Sequence, residues 1–141
     1  MLERAQSAAA ASNVEFVPVQ GTASDLVTLA GDDGFDAVVC SLVLCSVESV
    51  TATVAQAHAS LRDGGRFLFW EHCRAPEGTA LGVAQDVLTP LQVVLADGCH
   101  LNRAPSSLVL TAAPWSSHSA TAFTVPSAGL LAPHVRGVAV R

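Results

Sequence analysis

The chain has 141 residues, half of them hydrophobic, so it is about the size of one domain and can bury a core. Twelve acidic residues against seven basic ones give a formal charge of -5, and no block rich in Lys or Arg occurs, which argues against a nucleic-acid partner. Because no secretory signal and no uninterrupted apolar run of about 20 residues is found, we expect an intracellular chain with reduced cysteines and no membrane span of its own.

The first quarter of the sequence predicts a helix, a strand and a loop. The Ala-rich residues 2–11 favour a helix, which Ser12 and Asn13 end. The stretch "VEFVPV", residues 14–19, predicts a short strand that Pro18 confines to a sheet edge or to the end of the strand. Residues 21–34 predict a loop with about one helical turn.

The middle of the sequence predicts a strand, a helix and a second strand. "FDAVVCSLVL", residues 35–44, is almost continuously apolar, which is typical of a parallel strand covered on both faces. A stripe of apolar residues at helical spacing predicts a helix over residues 48–62, and "RFLFWEH", residues 66–72, predicts the next strand. This order predicts a right-handed crossover unit and the α/β fold class.

The last part of the sequence predicts two helical regions and two strands. Residues 76–96 suit a helix, with Pro90 as a break or a restart. Residues 105–115 suit a short helix, although the apolar run is too short to exclude a strand. "ATAFTV" and "RGVAV" predict two closing strands, and no repeat or internal domain boundary is found.

Two polar residues at the end of the second predicted strand form the strongest candidate site. Ligands of open α/β sheets bind at the carboxyl ends of the strands, and Glu71 and His72 lie at such an end. A carboxylate and an imidazole there can orient a ligand or move a proton, although a solvated strand end explains them equally well. The sequence contains no phosphate-binding glycine motif and no nucleophile elbow, so neither a phosphate-held nucleotide nor a serine hydrolase is supported.

The four cysteines do not by themselves predict a chemical site. Cys40 and Cys45 are interpreted as packing residues, because free cysteine is often buried and no basic residue is near them in sequence to lower a thiol pKa. The pairs His72-Cys73 and Cys99-His100 make structural zinc a minor alternative, but neighbours on a strand point to opposite faces, and no metal ligand is assigned. Asp97 and His100 are interpreted as part of a capped turn rather than as catalytic residues.

Four segments in order carry a resemblance to a known family. They are "VVCSLVLCSV", "GGRFLFWEH", "LADGCHLNR" and "PHVRGVAVR", and the likeness runs from about residue 14 to residue 141. In these segments the chain resembles the class I S-adenosylmethionine-dependent methyltransferases of the type 11 kind. Within them it is most similar to the methyltransferase-like 7 group, whose animal members are membrane-associated thiol S-methyltransferases.

The resemblance implies a Rossmann-like methyltransferase fold, S-adenosyl-L-methionine as cofactor and a small-molecule methyl acceptor, with a thiol as one candidate. It places the adenine end of the cofactor at residues 21–25 and the acceptor near Glu71, His72 and residues 76–102. The catalytic residues it implies are Glu71 and His72. The cofactor-binding residues it implies are Gly21, Thr22, Ala23, Asp25, Cys40, Ser41 and Leu42.

The chain also departs from the family pattern. It has no acidic-and-glycine-rich first loop and no second strand ending in an acidic residue, so we interpret residues 1–141 as the C-terminal two-thirds of one methyltransferase domain, a partial fold without the first two strands. With no anchor in the sequence, the expected location is cytoplasmic or peripheral to an internal membrane. We expect the isolated chain to bind the cofactor weakly or not at all and to fold poorly.

Two other functions remain open from the sequence. The chain can be a noncatalytic methyltransferase-like remnant that acts as an interaction partner through an exposed sheet edge. It can also be a small metal-binding protein that uses its Cys and His pairs.

Overall fold

A computed structural model describes residues 2–141, in which helices and strands alternate along much of the chain. The helices are α1 (Leu2–Ala11), α2 (Leu26–Ala30), α3 (Val50–Ser60), α4 (Ala80–Leu95) and α5 (Pro105–Ala112), and the strands are β1 (Phe35–Ser41), β2 (Leu61–His72), β3 (Ser117–Thr124) and β4 (Pro133–Val140). Short 3-10 turns cover Ala23–Asp25 and Pro126–Leu131. Among the described residues, no helix combines the length and apolarity needed for a membrane span.

The four strands form one sheet in the order β1-β2-β4-β3. β1 and β2 are parallel and joined through α3, whereas β4 is antiparallel to both β2 and β3. The predicted α/β class, the crossover unit and the two closing strands are therefore confirmed. β4 follows β3 in sequence but lies between β3 and β2, so the end of the chain completes the middle of the sheet.

One face of the sheet is covered and carries the core. Phe67 and Phe69 of β2 are buried on this face together with Val54 of α3 and Val109 of α5. Trp115 stacks on Phe67 with ring centroids 5.8 Å apart, and its indole N–H donates to the carbonyl of Val109 at 2.8 Å. This packing fixes α3 and α5 against β2, the strand that ends in the candidate site residues.

The opposite face of the sheet is open among the described residues. Val39 of β1 is 73% exposed and Trp70 of β2 is 46% exposed. The prediction that the apolar run of β1 is covered on both faces is therefore wrong for the part of the chain that the structure describes. β1 also ends earlier than predicted, at Ser41, because Leu42 turns the backbone into the left-handed region with φ 55°.

The predicted strand at residues 14–19 is not found. This segment is extended but lies at the surface, where Val17 is 68% exposed, and it belongs to no sheet. A strand needs a neighbour for its backbone groups, and none of the described strands lies beside this segment, so its β-branched residues alone do not make it a strand.

Helix boundaries follow local capping. The hydroxyl of Ser49 accepts from the Ala52 N–H at 3.2 Å at the start of α3, and that of Thr79 accepts from the Gly82 N–H at 3.1 Å at the start of α4. The expected break at Pro90 is not found, since α4 continues through it to Leu95. Residues 105–112 are helical, with Pro105 at the first position, where no donor is needed.

Candidate functional site

The candidate site lies where β1 and β2 end at the same edge of the sheet. The N–H of Leu42 donates to the carbonyl of Trp70 at 2.9 Å, which is the last rung between the two strands. The positive φ of Leu42 then sends residues 42–49 across the edge towards α3. Leu44 and Cys45 of this loop are buried, whereas Leu42 and Val43 are exposed, so the middle of the loop anchors it to the interior.

Glu71 is completely buried and holds this loop. Its Oε1 accepts from the Val43 N–H at 3.0 Å and from the Cys40 thiol at 3.4 Å. Its Oε2 has no hydrogen-bond partner among the described residues. Glu71 therefore joins the end of β2 to the loop after β1 and retains one buried acceptor.

His72 is buried on the opposite side of β2 from Glu71, since successive strand residues face opposite ways. Its Nε2 lies 3.3 Å from the Sγ of Cys99, while its Nδ1 has no partner among the described residues. Burial, followed by the nearby His134, lowers the pKa of His72 to about 4. The imidazole is thus neutral at pH 7 and a weaker base than an exposed histidine.

The two cysteines of the β1 end are protonated at neutral pH. Burial, with the Glu71 carboxylate as the next cause, raises the pKa of the Cys40 thiol to about 12. Burial also raises the pKa of the Cys45 thiol to about 11. Cys40 lies in the hydrophobic core cluster, which fits the packing role predicted for it.

The segment after α4 closes over the loop that follows β1. The His100 N–H donates to the Cys45 carbonyl at 2.9 Å, and the Arg103 guanidinium donates to the carbonyls of Leu44 and Val47 at 2.8 and 2.6 Å. Asp97 and Gly98 both have positive φ, so the turn predicted at this point is confirmed. Two segments about 55 residues apart in sequence are thereby fixed against each other.

A cavity of about 440 Å³ opens beside His72. Most of its wall is apolar, and the lining includes Leu42, Cys45, Trp70, His72, Cys99, Leu131 and His134. A mostly apolar cavity with a few convergent polar groups is the usual form of a small-molecule site.

A second cavity, of about 460 Å³, lies at the residues predicted to hold adenine. Thr22, Ala23 and Ser24 form one wall, and residues 47–49 form another. The Asp25 carboxylate accepts from the Thr22 N–H at 2.7 Å and from its hydroxyl at 3.2 Å, so it caps its own turn. A side chain at Gly21 would approach Asp25 Oδ2 to 2.8 Å, which shows how closely this turn is wound.

The structure thus separates the predicted site residues into groups. Cys40, Leu42, Glu71 and His72 lie together at the ends of β1 and β2, whereas Ser41 lies on the open face of the sheet with Val39 and Trp70. Thr22 and Ala23 line the separate cavity, and Gly21 and Asp25 belong to the same turn without lining it. The sequence analysis did not predict that Cys45 and Cys99 would join His72, and adjacency in sequence gave no signal for that grouping.

A family model described as "Methyltransferase domain" matches residues 1–69. The chain is 39% identical over 111 residues to thiol S-methyltransferase TMT1A of Homo sapiens, and 43% identical over 72 residues to thiol S-methyltransferase TMT1B of Rattus norvegicus. The chain is therefore similar to the methyltransferase-domain family over nearly its first half. The resemblance found in the sequence is therefore confirmed.

The alignment with TMT1A covers 78% of this chain and 45% of TMT1A, and the alignment with TMT1B covers 51% of this chain and 30% of TMT1B. The chain therefore spans less than half the length of these curated relatives. Among solved structures, it is similar to an S-adenosylmethionine-dependent methyltransferase of Thermotoga maritima, titled a possible histamine N-methyltransferase, with a TM-score of 0.65 and 18% identity. That match covers 98% of this chain and 69% of the other and establishes the Rossmann-like methyltransferase fold.

Proposed function

We propose that this chain is part of an enzyme that transfers a methyl group from S-adenosyl-L-methionine to a small-molecule acceptor, with a thiol as the first candidate. The observation that carries the proposal is the edge where β1 and β2 end, at which Glu71 fixes the loop after β1 beside a largely apolar cavity. The methyltransferase-domain match over residues 1–69 supports the reaction, and the thiol S-methyltransferase names of TMT1A and TMT1B support the acceptor class.

Two groups of residues, one at the second cavity and one at the strand ends, fit parts of the cofactor. The cavity at residues 22–24 can take a flat base, with the Thr22 hydroxyl and the Ala23 backbone as polar groups. Because Asp25 caps its own turn, we assign it the role of holding that wall rather than of contacting the base. The unpartnered, buried Oε2 of Glu71 supports a further polar group being held near Cys40 and Leu42.

The chain's own task is to position the methyl acceptor and to exclude water from the reacting groups. The cofactor supplies a methyl group that is already activated on a sulfonium, so little covalent catalysis is asked of the protein. The apolar wall made by Leu42, Trp70 and Leu131 can hold an acceptor away from solvent and in line with the methyl group. Residues 96–103 keep this wall in place through the bonds from His100 and Arg103.

The proton-transfer roles predicted for Glu71 and His72 stay proposals with unequal support. Glu71 turns towards Val43 and Cys40, where it positions the loop. His72 lines the cavity, but with a pKa lowered to about 4 it is a weak base for a thiol, whose ordinary pKa is about 8.5. We therefore assign His72 to orienting the acceptor or holding its proton through a hydrogen bond.

The test is a methyl-transfer assay with small alkyl thiols, made on the longest form of the protein that its coding sequence provides. We expect methylated thiol to form in proportion to S-adenosylhomocysteine. His72→Gln should reduce kcat about tenfold or more without changing cofactor affinity, whereas His118→Gln, on the exposed strand β3, should leave both unchanged. Absence of any transfer while the cofactor binds tightly would reject the acceptor class, and an unchanged rate and pH profile in His72→Gln would dismiss the role of His72.

A noncatalytic interaction role is the second candidate, and one observation favours it. Within residues 2–141 no strand pairs with the outer edge of β1, and Val39 of that strand is exposed. Such an edge is a template for a strand of another chain. Purification of the chain with a stoichiometric partner that supplies strands, together with no methyl transfer by the longest form, would support this candidate over the enzyme.

A further inference from the structure

Three side chains that bind soft metals meet at the wall of the cavity beside His72. Cys45 comes from the loop after β1, His72 from the end of β2, and Cys99 from the turn after α4. Their ligand atoms all lie within 4.8 Å of one another, and all three residues are buried. The His72 Nε2 lies 3.3 Å from the Cys99 Sγ.

We propose that Cys45, His72 and Cys99 form a binding site for a zinc-type divalent cation whose fourth coordination position opens to the cavity. Zinc bonds of about 2.3 Å to sulfur and about 2.0 Å to nitrogen place tetrahedral ligands roughly 3.5 to 3.8 Å apart. The distances in the structure bracket that range, so small side-chain movements close the site around one ion.

The backbone around the three ligands is fixed by contacts that do not involve the ligand atoms. The Cys45 carbonyl accepts from the His100 N–H at 2.9 Å, and the Cys99 N–H donates to the Ala96 carbonyl at 2.9 Å. The register of β2 with β4, which pairs His72 with His134, fixes the third ligand. A set of ligands held in this way loses little conformational freedom when a cation binds.

The thiols have weak partners without a cation. The Cys45 Sγ lies 3.8 Å from the Leu42 carbonyl oxygen, 3.5 Å from the Ser46 hydroxyl and within 4.8 Å of the other two ligand atoms. The bond between His72 and Cys99 satisfies one further pair and is the simplest alternative explanation of the cluster. A bound cation would give all three ligand atoms a strong partner. The experiment therefore asks whether a cation binds to these three atoms.

The open position distinguishes this site from a structural one. Structural zinc sites take four protein ligands, whereas catalytic ones take three and leave one place for water or substrate. The group has three members among the described residues, and its fourth side faces a cavity lined by Leu42, Trp70 and Leu131. Three protein ligands and one side open to the cavity are what a cation needs in order to bind one further atom, from water or from a small ligand.

The test is titration of the reduced 141-residue chain with Co²⁺, used as a visible probe for zinc. We expect one Co²⁺ per chain, a thiolate-to-cobalt charge-transfer band, strong visible bands typical of four-coordinate cobalt, and displacement by Zn²⁺. Cys45→Ser, Cys99→Ser and His72→Asn should each weaken binding about tenfold or more. The matched control Cys73→Ser, which directly follows the strand end at His72 and lies outside the group of three, should leave binding unchanged.

A second measurement does not depend on the stability of variants. In the unmodified chain, Zn²⁺ should protect Cys45 and Cys99 from slow alkylation and leave the half-buried Cys73 as reactive as before. Absence of the charge-transfer band, or protection of Cys73 equal to that of the other two, would overturn the proposal. Neither readout uses methyl transfer, so failure here and failure of the proposed function are distinguishable.

Discussion

At the scale of single residues, Gln85 of α4 connects three parts of the chain. Its Oε1 accepts from the Ala75 N–H at 2.7 Å, and its Nε2 donates to the carbonyls of Cys73 and Leu130 at 3.2 and 2.8 Å. The side chain is completely buried, so these bonds replace water for four polar groups at once. Gln85 therefore holds α4 against the exit of β2, beside the proposed acceptor cavity.

The Gln85→Met variant tests that role. Methionine keeps the length and helix propensity but leaves buried backbone groups of Cys73, Ala75 and Leu130 without partners, so we expect a loss of about 3 kcal/mol in the free energy of unfolding. The measurement is urea unfolding followed by circular dichroism. The control is Gln92→Met in the same helix, since the Gln92 side chain makes no hydrogen bond within residues 2–141. An equal loss in both variants would contradict the role of Gln85.

At the scale of elements, β4 requires a glycine at its centre. A Cβ on Gly137 would lie 2.5 Å from the Phe69 ring of β2 and 2.5 Å from the Ser119 carbonyl of β3. The ring of Phe69 thus crosses the middle strand over the place where a side chain would stand. The absence of a side chain at Gly137 therefore allows both the packing of Phe69 and the pairing of β4 with β2 and β3.

We expect Gly137→Ala to lower the free energy of unfolding by about 2 kcal/mol, because both the ring and a backbone carbonyl must move. Thermal and urea unfolding measure this loss. In a Phe69→Leu background the cost of Gly137→Ala should be smaller, since the ring contact is gone. Full additivity of the two substitutions would show that the ring plays no part in the requirement for glycine.

At the scale of the whole molecule, the described chain leaves much apolar surface open. The outer side of α4 exposes Val83, Val87, Leu91, Val94 and Leu95, with Val94 80% exposed. The open sheet face adds Val39 and Trp70. Contiguous apolar patches of this kind are normally covered. They support the proposal that residues 1–141 are one portion of a methyltransferase domain.

That proposal predicts weak cofactor binding by the 141-residue chain alone. The cavity at residues 22–24 can contact one end of S-adenosyl-L-methionine, but the sequence has no glycine-rich loop for the methionine end. Calorimetric titration should therefore show weak binding or none, and binding about a hundredfold or more tighter in a longer form that carries such a loop. Tight, saturable binding by the 141-residue chain would contradict the prediction.

Much of this fold was predictable because its signals are local. The apolar stripe of α3, the alternation of helix and strand and the Asp97-Gly98 turn all appear in short stretches of sequence. The strand expected at residues 14–19 was wrong because strand formation depends on a partner that a local pattern does not contain. The uncovered face of β1 was missed for the same reason.

The candidate site was predictable in part. The strand end at Glu71 and His72 follows from the general rule for parallel sheets, and the structure places both residues there. The grouping of Cys45, His72 and Cys99 was not predictable, because successive members are 27 residues apart in sequence and meet only through tertiary packing. The contacts of Gln85 were equally hidden, since its partners lie 10, 12 and 45 residues away in sequence.

The place of β4 in the sheet has a consequence for biosynthesis. Residues 133–140 are made after the other three strands, yet they separate β2 from β3 and pair with both. Until the ribosome has released them, β2 has one bare edge and β3 has no partner at all among the strands of this sheet. The backbone donors and acceptors along that edge of β2 must therefore bond to water, or be covered by a chaperone, until synthesis of this segment is complete.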